Sequence, residues 1–253
     1  MIRLFSDLRR LVPVLFSLFI LASCNDDQAE QKPPQKNANT VTATPIAGNS
    51  TARAPSNTKF VPLGSGFDFY VLSLSWSPTW CLENDPSGRS QQCAVENSHG
   101  FIVHGLWPQN ERGYPEFCRT REPDRVPDAL GRTLFDIMPS MGLIGHEWRK
   151  HGSCSGLSQK DYFAVLRAAR ERVSIPASLQ TVRSQQRTSA ADIETRLTTA
   201  NPGLQANAIA VGCSAGQVEE VRICFTKDLG FRACGEIDRG GCKMKNLSLP
   251  ATP

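Results

Sequence analysis

Four stretches of the chain carry the apolar patterns of β-strands. FDFYVLSLSW at residues 67–76 alternates apolar and polar side chains, and FIVHGLWP at 101–108 is a short apolar run that ends at turn-forming residues. Between residues 208 and 233 the segments AIAVGC and EVRICF follow, with turn residues between and after them. Alternation is typical of a half-buried strand, and a short bounded apolar run is typical of a buried one.

Three segments between these strands show the helical period instead. Residues 126–138 carry apolar side chains at helical spacing between two prolines, which predicts a helix. Residues 158–173 begin with SQKD, a start similar to a capping box, and residues 189–199 end at AsnProGly. Helices in the middle and strands at both ends favour an α+β fold with a central sheet rich in antiparallel pairs over a parallel α/β fold.

The first 24 residues have the pattern of an export signal. MIRLFSDLRR supplies positive charge, and LVPVLFSLFILAS is an apolar run that is too short for a stable membrane span. The run ends in LASC, and small residues directly before Cys24 resemble a bacterial lipobox. That resemblance implies that Cys24 becomes the lipidated first residue of the mature protein. The alternative is an ordinary cleavable signal with an unrelated cysteine.

The composition of residues 25–58 predicts a disordered tether. The segment is rich in Asn, Gln, Thr, Ala and Pro and nearly lacks large apolar residues. The folded domain is therefore predicted at 59–253. It holds 22 Lys and Arg against 20 Asp and Glu, a net charge of +2. A passive nucleic-acid binder usually has a heavier basic footprint, so this balance disfavours that class.

Cysteine usage predicts a domain stapled by disulfides. The chain has nine cysteines, and without Cys24 an even set of eight remains in an exported chain. No CxxC pair is present, which disfavours a zinc ribbon. The number and spacing of the cysteines leave the connectivity open.

The segment HEWRKHGSC at residues 146–154 concentrates ionisable groups. On a helix, His146, Glu147, Lys150 and His151 fall within an arc of about 140°, so one helix can present all four to one cleft. Gly152 suits a C-terminal cap. A zinc-binding HExxH motif needs its histidines at i and i+4, whereas HExxxH places them at i and i+5, which disfavours a metal site. Taken alone, a solvated charged helix face would be the favoured interpretation.

A second motif changes this interpretation. HGLWP at residues 104–108 holds another of the four histidines, His104, with Trp107 three residues later. FIVHGLWPQ followed by HEWRKHGSC closely resembles the two signature segments of the ribonuclease T2 family, secreted endoribonucleases without a metal. FDFYVLSLSWSPTWC, YPEFC at 114–118 and residues 218–234 are similar to further parts of that family. The resemblance covers essentially all of residues 59–253 and implies a ribonuclease T2-like fold.

Two imidazoles suit RNA cleavage, because one can accept the proton of the ribose 2′-hydroxyl and another can protonate the departing 5′-oxygen near neutral pH. The resemblance assigns His104 as general acid and His151 as general base. It assigns His146 to phosphate binding, and Glu147 and Lys150 to stabilisation of the pentacovalent state. It implies cleavage through a 2′,3′-cyclic phosphate with low base specificity and no cofactor. His99 has no counterpart and is interpreted as a surface or core histidine.

The resemblance also suggests base contacts and disulfide pairs. Trp107 and Tyr114 are similar to aromatic residues that stack on a base, although a core position for Trp107 is an equal alternative. Gln109 and Ser75 depart from the residues that members of the family often carry there, which leaves base preference open. The implied disulfides are Cys81–Cys93, Cys118–Cys154, Cys213–Cys242 and Cys224–Cys234.

Two rival functions remain on sequence grounds. One is a catalytically dead relative that binds RNA or another polyanion, and an intact catalytic set speaks against it. The other is an exported metallohydrolase, which the HExxxH spacing opposes. The favoured hypothesis is a monomeric, exported enzyme with RNA as its partner, held in the bacterial cell envelope or periplasm through a lipid on Cys24.

Overall fold

The structure, a computed structural model, describes residues 61–253. The predicted signal at 1–24, the predicted tether at 25–58 and Cys24 lie outside the described residues. The helices are α1 (Ser77–Asn84), α2 (Asp128–Arg132), α3 (Met141–Lys150), α4 (Gln159–Glu171), α5 (Ala177–Gln180), α6 (Ala190–Ala200) and α7 (Gly235–Arg239). The strands are β1 (Phe69–Trp76), β2 (Phe101–Gln109), β3 (Gln186–Thr188), β4 (Ile209–Ser214), β5 (Gln217–Phe225) and β6 (Leu247–Leu249).

The six strands form one sheet in the order β2-β1-β5-β6-β3, with β4 also paired to β5. The long pairs β1–β2, β1–β5 and β4–β5 are antiparallel, and β6 meets β5 in a short parallel contact. The predicted α+β fold with a sheet rich in antiparallel pairs is confirmed. The predicted strands at 67–76 and 101–108 match β1 and β2, and AIAVGC and EVRICF match β4 and β5.

The alternation in β1 separates the two faces of the sheet. Tyr70, Leu72, Leu74 and Trp76 point into the main core, where apolar side chains of α3, α4 and α6 cover them. On the opposite face Phe69 and Val71 form a small second cluster with Cys224 and Cys234. The polar Ser73 and Ser75 continue that second face toward the end of the strand. One face of the sheet is thus a helix-covered core, and the other is free to line a cleft.

Four disulfides staple this architecture, and they are the pairs that the resemblance implies. They join Cys81 to Cys93, Cys118 to Cys154, Cys213 to Cys242 and Cys224 to Cys234. The bridge at Cys154 follows directly on the end of α3 and ties it to the loop that carries Cys118. Closing a loop of this kind restricts the unfolded chain and typically contributes about 2–4 kcal/mol.

The helix predictions had different outcomes. The SQKD start is confirmed, because the Ser158 hydroxyl accepts the Asp161 N–H at 3.1 Å and α4 follows it. The helix predicted over 126–138 is wrong in length, since α2 ends at Arg132. The helical bonds end at Thr133, because the N–H groups of Thr133, Leu134 and Phe135 bond three residues back instead of four. Arg167 of α4 also donates to the Thr133 carbonyl.

Within residues 61–253, no helix is long and apolar enough to cross a membrane.

Candidate active site

A cleft of about 730 Å³ opens on the second face of the sheet, between β2, β5 and the end of α3. All seven residues that the sequence predicts for catalysis and base binding line this one cleft. They are His104, Trp107, Tyr114, His146, Glu147, Lys150 and His151. The two sequence motifs therefore meet in space, as a single site requires.

Helix α3 places one half of the site. The Ser140 hydroxyl caps its first turn by accepting the Leu143 N–H at 3.2 Å. Ile144 and Trp148, four residues apart, are fully buried and anchor the helix against the core. Glu147 and Lys150 consequently face the cleft from the last turn of the helix. His146 is exposed beside them.

The helix ends at Lys150, and His151 is its C-cap residue, with φ −118° and ψ −49°. The His151 N–H still bonds to the carbonyl of Glu147 at 2.9 Å, so the imidazole stays close to the last turn. The predicted capping role of Gly152 is wrong, because this glycine begins a short 3-10 turn. A Cβ at Gly152 would lie 2.8 Å from the Tyr162 ring, so close packing is what requires glycine there.

Strand β2 places the other half through a β-bulge at His104. Ser73 pairs with Gly105 and Leu74 pairs with Val103, which leaves His104 as an extra residue without a partner on β1. A bulge bends its strand and re-aims a side chain. The bulge therefore interrupts the alternation of β2 at the histidine and lets its ring reach the cleft.

Glu147 lies at the centre of the cleft and is only 1% exposed. Its Oε2 accepts the indole N–H of Trp107 at 2.8 Å, and its Oε1 lies 3.6 Å from Nε2 of His104. Burial raises the pKa of Glu147 to about 7, although the Trp107 hydrogen bond and the Lys150 charge oppose this. The carboxyl is thus poised between its two protonation states near neutral pH.

Gly105 makes this arrangement possible. A Cβ at this position would overlap the Glu147 carboxylate and come within 2.8 Å of its Cδ. The glycine of the HGLWP motif therefore opens the space into which the carboxyl group of α3 fits.

The two histidines assigned to proton transfer differ in their surroundings. His151 is 5% exposed, its Nδ1 has no hydrogen-bond partner among the described residues, and the Trp107 ring lies 5.2 Å away. Burial first, and then the positive charges of Lys150 and the other two histidines of the site, lower its pKa to about 3. Burial also lowers the pKa of His104, and the negative charge of Glu220 offsets this only in part, so the pKa stays below its ordinary value.

The aromatic candidates occupy different positions. Trp107 is half-buried, and its ring lies 5.5 Å from His104 and 5.2 Å from His151. The sequence left open whether Trp107 is a core residue or a base-stacking residue. In the structure it packs on the second cluster and also lines the cleft. Tyr114 is 53% exposed at the rim.

Lys150 is half-buried, and its Nζ lies 3.8 Å from Oε2 of Glu116. His99 is half-buried.

Sequence reasoning missed one part of the cleft, the acidic and basic pair on β5. Glu220 is 6% exposed, and its Oε2 lies 3.9 Å from Nδ1 of His104. Arg222 forms an ion pair with Glu220 and lies 5.4 Å from the centre of the Trp107 ring. A signal was present, because Glu219, Glu220 and Arg222 interrupt a largely apolar strand, and a charged side chain that is buried in such a strand is costly unless it is paired.

No group of three or more His, Cys, Asp or Glu side chains within residues 61–253 is arranged to hold a metal ion.

Comparisons with known proteins give the relatives of this chain. A profile described as the ribonuclease T2 family matches residues 67–234. A protein of Aeromonas hydrophila named ribonuclease is 44% identical over 113 residues, which cover 45% of this chain and 49% of that protein. The chain thus spans about half the length of that relative. Ribonuclease DdI of Dictyostelium discoideum is 29% identical over 207 residues, covering 74% of this chain and 86% of that protein.

Among solved structures, an RNase-related protein from Calystegia sepium superposes with a TM-score of 0.58 at 22% identity. The match covers 75% of this chain and all of that one. At this level of identity the similarity shows a shared fold.

Proposed function

Because the chain belongs to the ribonuclease T2 family, we propose that it is an endoribonuclease that cleaves single-stranded RNA. In the proposed reaction the ribose 2′-hydroxyl is the nucleophile, no metal ion takes part, and base specificity is low. The observation that carries the proposal is the meeting of His104 and His151 in one cleft that Glu147 and Lys150 also line, with a negatively charged neighbour raising the pKa of His104 alone. Where the surroundings shift the pKa values of two titratable groups by different amounts, the difference indicates which group is the acid and which is the base.

In the first step His151 accepts the proton of the 2′-hydroxyl, and the 2′-oxygen attacks phosphorus. A base must start neutral, and a pKa of about 3 keeps the imidazole of His151 neutral over most of the pH range. The positive charges of Lys150 and His104 contribute to this low value. They would also oppose the transient imidazolium, until the negative phosphate in the same cleft balances them.

As the P–O5′ bond breaks, His104 protonates the departing 5′-oxygen. An acid must start protonated, and the ring nitrogens of His104 face two carboxyl groups, Glu147 at 3.6 Å and Glu220 at 3.9 Å, of which Glu220 supplies the negative charge that raises the pKa of His104. Opposite charge at this distance stabilises an imidazolium. The products are a 2′,3′-cyclic phosphate and a 5′-hydroxyl. In the second step the roles reverse, and water opens the cyclic phosphate to a 3′-phosphate.

Charge that develops on the phosphorane oxygens requires fixed donors in the cleft. Lys150 and His146 supply them from the same turn of α3. Glu147 has a pKa of about 7. Its protonated form can donate a hydrogen bond to a phosphate oxygen without repelling it. This is the physical basis of the role that the resemblance assigns to Glu147.

For base contacts we propose Tyr114 and Trp107. Tyr114 is 53% exposed at the rim of the cleft, which suits stacking on a splayed base. Trp107 already donates its N–H to Glu147 and packs between two histidines. Its role therefore combines support of Glu147 with an apolar wall. Stacking tolerates every base, in agreement with low base specificity.

We also propose that the enzyme is a monomer exported to the cell envelope or periplasm and anchored by a lipid on Cys24. The LASC segment and the four disulfides support export. Cys24→Ser should abolish incorporation of labelled fatty acid and release the protein from the membrane fraction. Unchanged labelling would contradict the anchor.

The test of the proposed reaction is a short oligonucleotide made in three forms: RNA, DNA, and RNA with one 2′-O-methyl group at the scissile position. Each is incubated with the enzyme in EDTA and analysed by mass spectrometry. The RNA should give 2′,3′-cyclic phosphates and then 3′-phosphates, and the other two forms should stay intact. DNA cleavage or 5′-phosphate ends on the RNA fragments would overturn the mechanism, because a metal-activated water does not need the 2′-hydroxyl.

A further inference from the structure

A buried acidic side chain, Glu220, lies on the sheet side of the cleft, and the proposed reaction gives it no role of its own. It is 6% exposed. Its Oε2 accepts the Ser73 hydroxyl at 2.6 Å, and its Oε1 accepts Nε of Arg222 at 2.8 Å. Arg222 also forms an ion pair with the same oxygen. In the sheet register Ser73 lies opposite Arg222, so donors on two adjacent strands fix this carboxylate.

The fixed carboxylate faces one edge of the His104 ring. Its Oε2 lies 3.9 Å from Nδ1, while Nε2 of the same ring points toward Glu147 at 3.6 Å. A separation of 3.9 Å is an ion-pair distance and too long for a direct hydrogen bond. The ring therefore has one nitrogen turned to Glu220 on the sheet and the other turned to Glu147 on α3.

We infer that Glu220 is a positioning residue for the general acid. It holds Nδ1 of His104 toward the sheet, keeps Nε2 toward the substrate, and stabilises the imidazolium that must donate the proton. The inference rests on the proposed function for its catalytic consequence only, since the placement of the ring and the stabilisation of its charge are properties of the free protein.

The charges around His104 explain why such a residue is needed. His146 and Lys150 face it from α3, and Arg222 faces it from β5, and all three disfavour its protonated form, as burial does. Glu147 has a pKa of about 7, so it loses much of its negative charge at and below neutral pH. Glu220 supplies the negative charge that raises the pKa of His104.

The test uses Glu220→Gln, which keeps the size of the side chain and an acceptor for Ser73 but removes the charge. Histidine-labelled protein is titrated by NMR, with the His104 resonance assigned by its loss in His104→Ala. The His104 titration midpoint should move to lower pH in Glu220→Gln. In parallel, kcat/KM on RNA should fall by roughly tenfold at pH 7 and by less at pH 5, because the acid loses its proton earlier.

The matched control is Glu219→Gln, which removes one negative charge from the adjacent position of β5. Glu219 is exposed and is not among the groups whose charge shifts the pKa of His104. This variant should leave the His104 midpoint close to that of the wild type. If Glu220 only stabilised the fold, Glu220→Gln would lower the free energy of unfolding without moving the His104 titration midpoint.

An unchanged His104 midpoint in folded Glu220→Gln would overturn the inference. If that variant does not fold, Glu220→Asp retains the charge farther from the ring and should give a smaller shift in the same direction. An unchanged His104 midpoint in Glu220→Asp would overturn the inference as well. The NMR measurement needs no RNA, so 5′-phosphate products from the wild type would refute the proposed function and leave the assignment of Glu220 to be decided separately.

Discussion

The two cleft histidines assigned to proton transfer differ in the charges around them, although Lys150 and His146 disfavour the protonated form of both. His104 sits at a bulge of the sheet, its side chain is 39% exposed, and a carboxylate faces each of its ring nitrogens. His151 sits at the end of a helix, is 5% exposed, and has aromatic rings and positive charges as neighbours. Burial lowers the pKa of both residues, but nearby negative charge opposes this only at His104.

This difference separates the tasks that the two side chains can perform. An imidazole kept neutral by burial and positive neighbours is ready to accept a proton, and an imidazole beside an ionised carboxylate such as Glu220 is better able to hold one. The family resemblance gave the acid and base assignment without a physical reason. The environments supply that reason independently, and they favour the same assignment.

Removal of either histidine tests the comparison most severely. His104→Ala and His151→Ala should each reduce kcat by about 10²–10⁴-fold, and the double variant should lose little more than the worse single variant, because the two groups act in one step. Single-turnover cleavage of RNA measures this. His99→Ala, in a half-buried histidine outside the cleft, should retain activity. Near-wild-type rates in either cleft variant would refute the assignment.

Crowding the space that Gly105 leaves for the Glu147 carboxyl should have the next largest effect. Gly105→Ala places a Cβ against the Glu147 carboxyl, and a displacement of about 1 Å in such a site can reduce the rate by about 10²-fold. The rate constant for cleavage is the measurement. Gly142→Ala on α3 is the matched control, since its Cβ would meet only Ser140 at 3.6 Å. Equal rates in both variants would show that the fit at Gly105 is unimportant.

The pH dependence should place the optimum on the acidic side. The rate should rise with pH as His151 loses its proton, near its pKa of about 3. It should fall again as His104 loses its proton, below the ordinary histidine value of 6.5. On each limb kcat/KM should change about tenfold per pH unit. Circular dichroism at each pH separates loss of activity from unfolding. An optimum above pH 7 would contradict the assigned environments.

The smallest expected effect is on the stability of the protein, through the ionisation of Glu147. The pKa of Glu147 is about 7 in the folded state, against an ordinary value of 4.5. The folded protein therefore binds more protons between these values, and its free energy of unfolding falls as pH rises through this window. Glu147→Gln cannot titrate at this position, so it avoids this pH-dependent loss of stability. Its free energy of unfolding, relative to that of the wild type, should rise by about 2–4 kcal/mol from pH 4.5 to pH 7.

Urea unfolding of both proteins at the two pH values measures this difference, and the opposite contribution of His151 cancels in the comparison. Glu96→Gln, at an exposed position, should show no such pH-dependent gain. A constant difference between Glu147→Gln and the wild type would mean that Glu147 is ionised without penalty in the cleft.

The sequence by itself determined the long strands, the capped start of α4 and the residues of the two motifs. Each of these depends on local properties: the two-residue period of a strand, a serine placed to accept an N–H, and side chains brought to one side by helical geometry. Residues 126–138 show the limit of such reasoning. Their pattern is helical, but α2 ends at Arg132 and the backbone continues in tighter turns from Thr133, where Arg167 of another helix donates to the Thr133 carbonyl.

The tertiary structure alone decided how the motif residues act. Sequence spacing did not reveal the bulge at His104, the entry of Glu147 into the space over Gly105, or the approach of Glu220 from β5. Each arises from segments far apart in the chain. The protonation state of each group follows from the desolvation and charge that these segments impose together, and a local pattern contains neither.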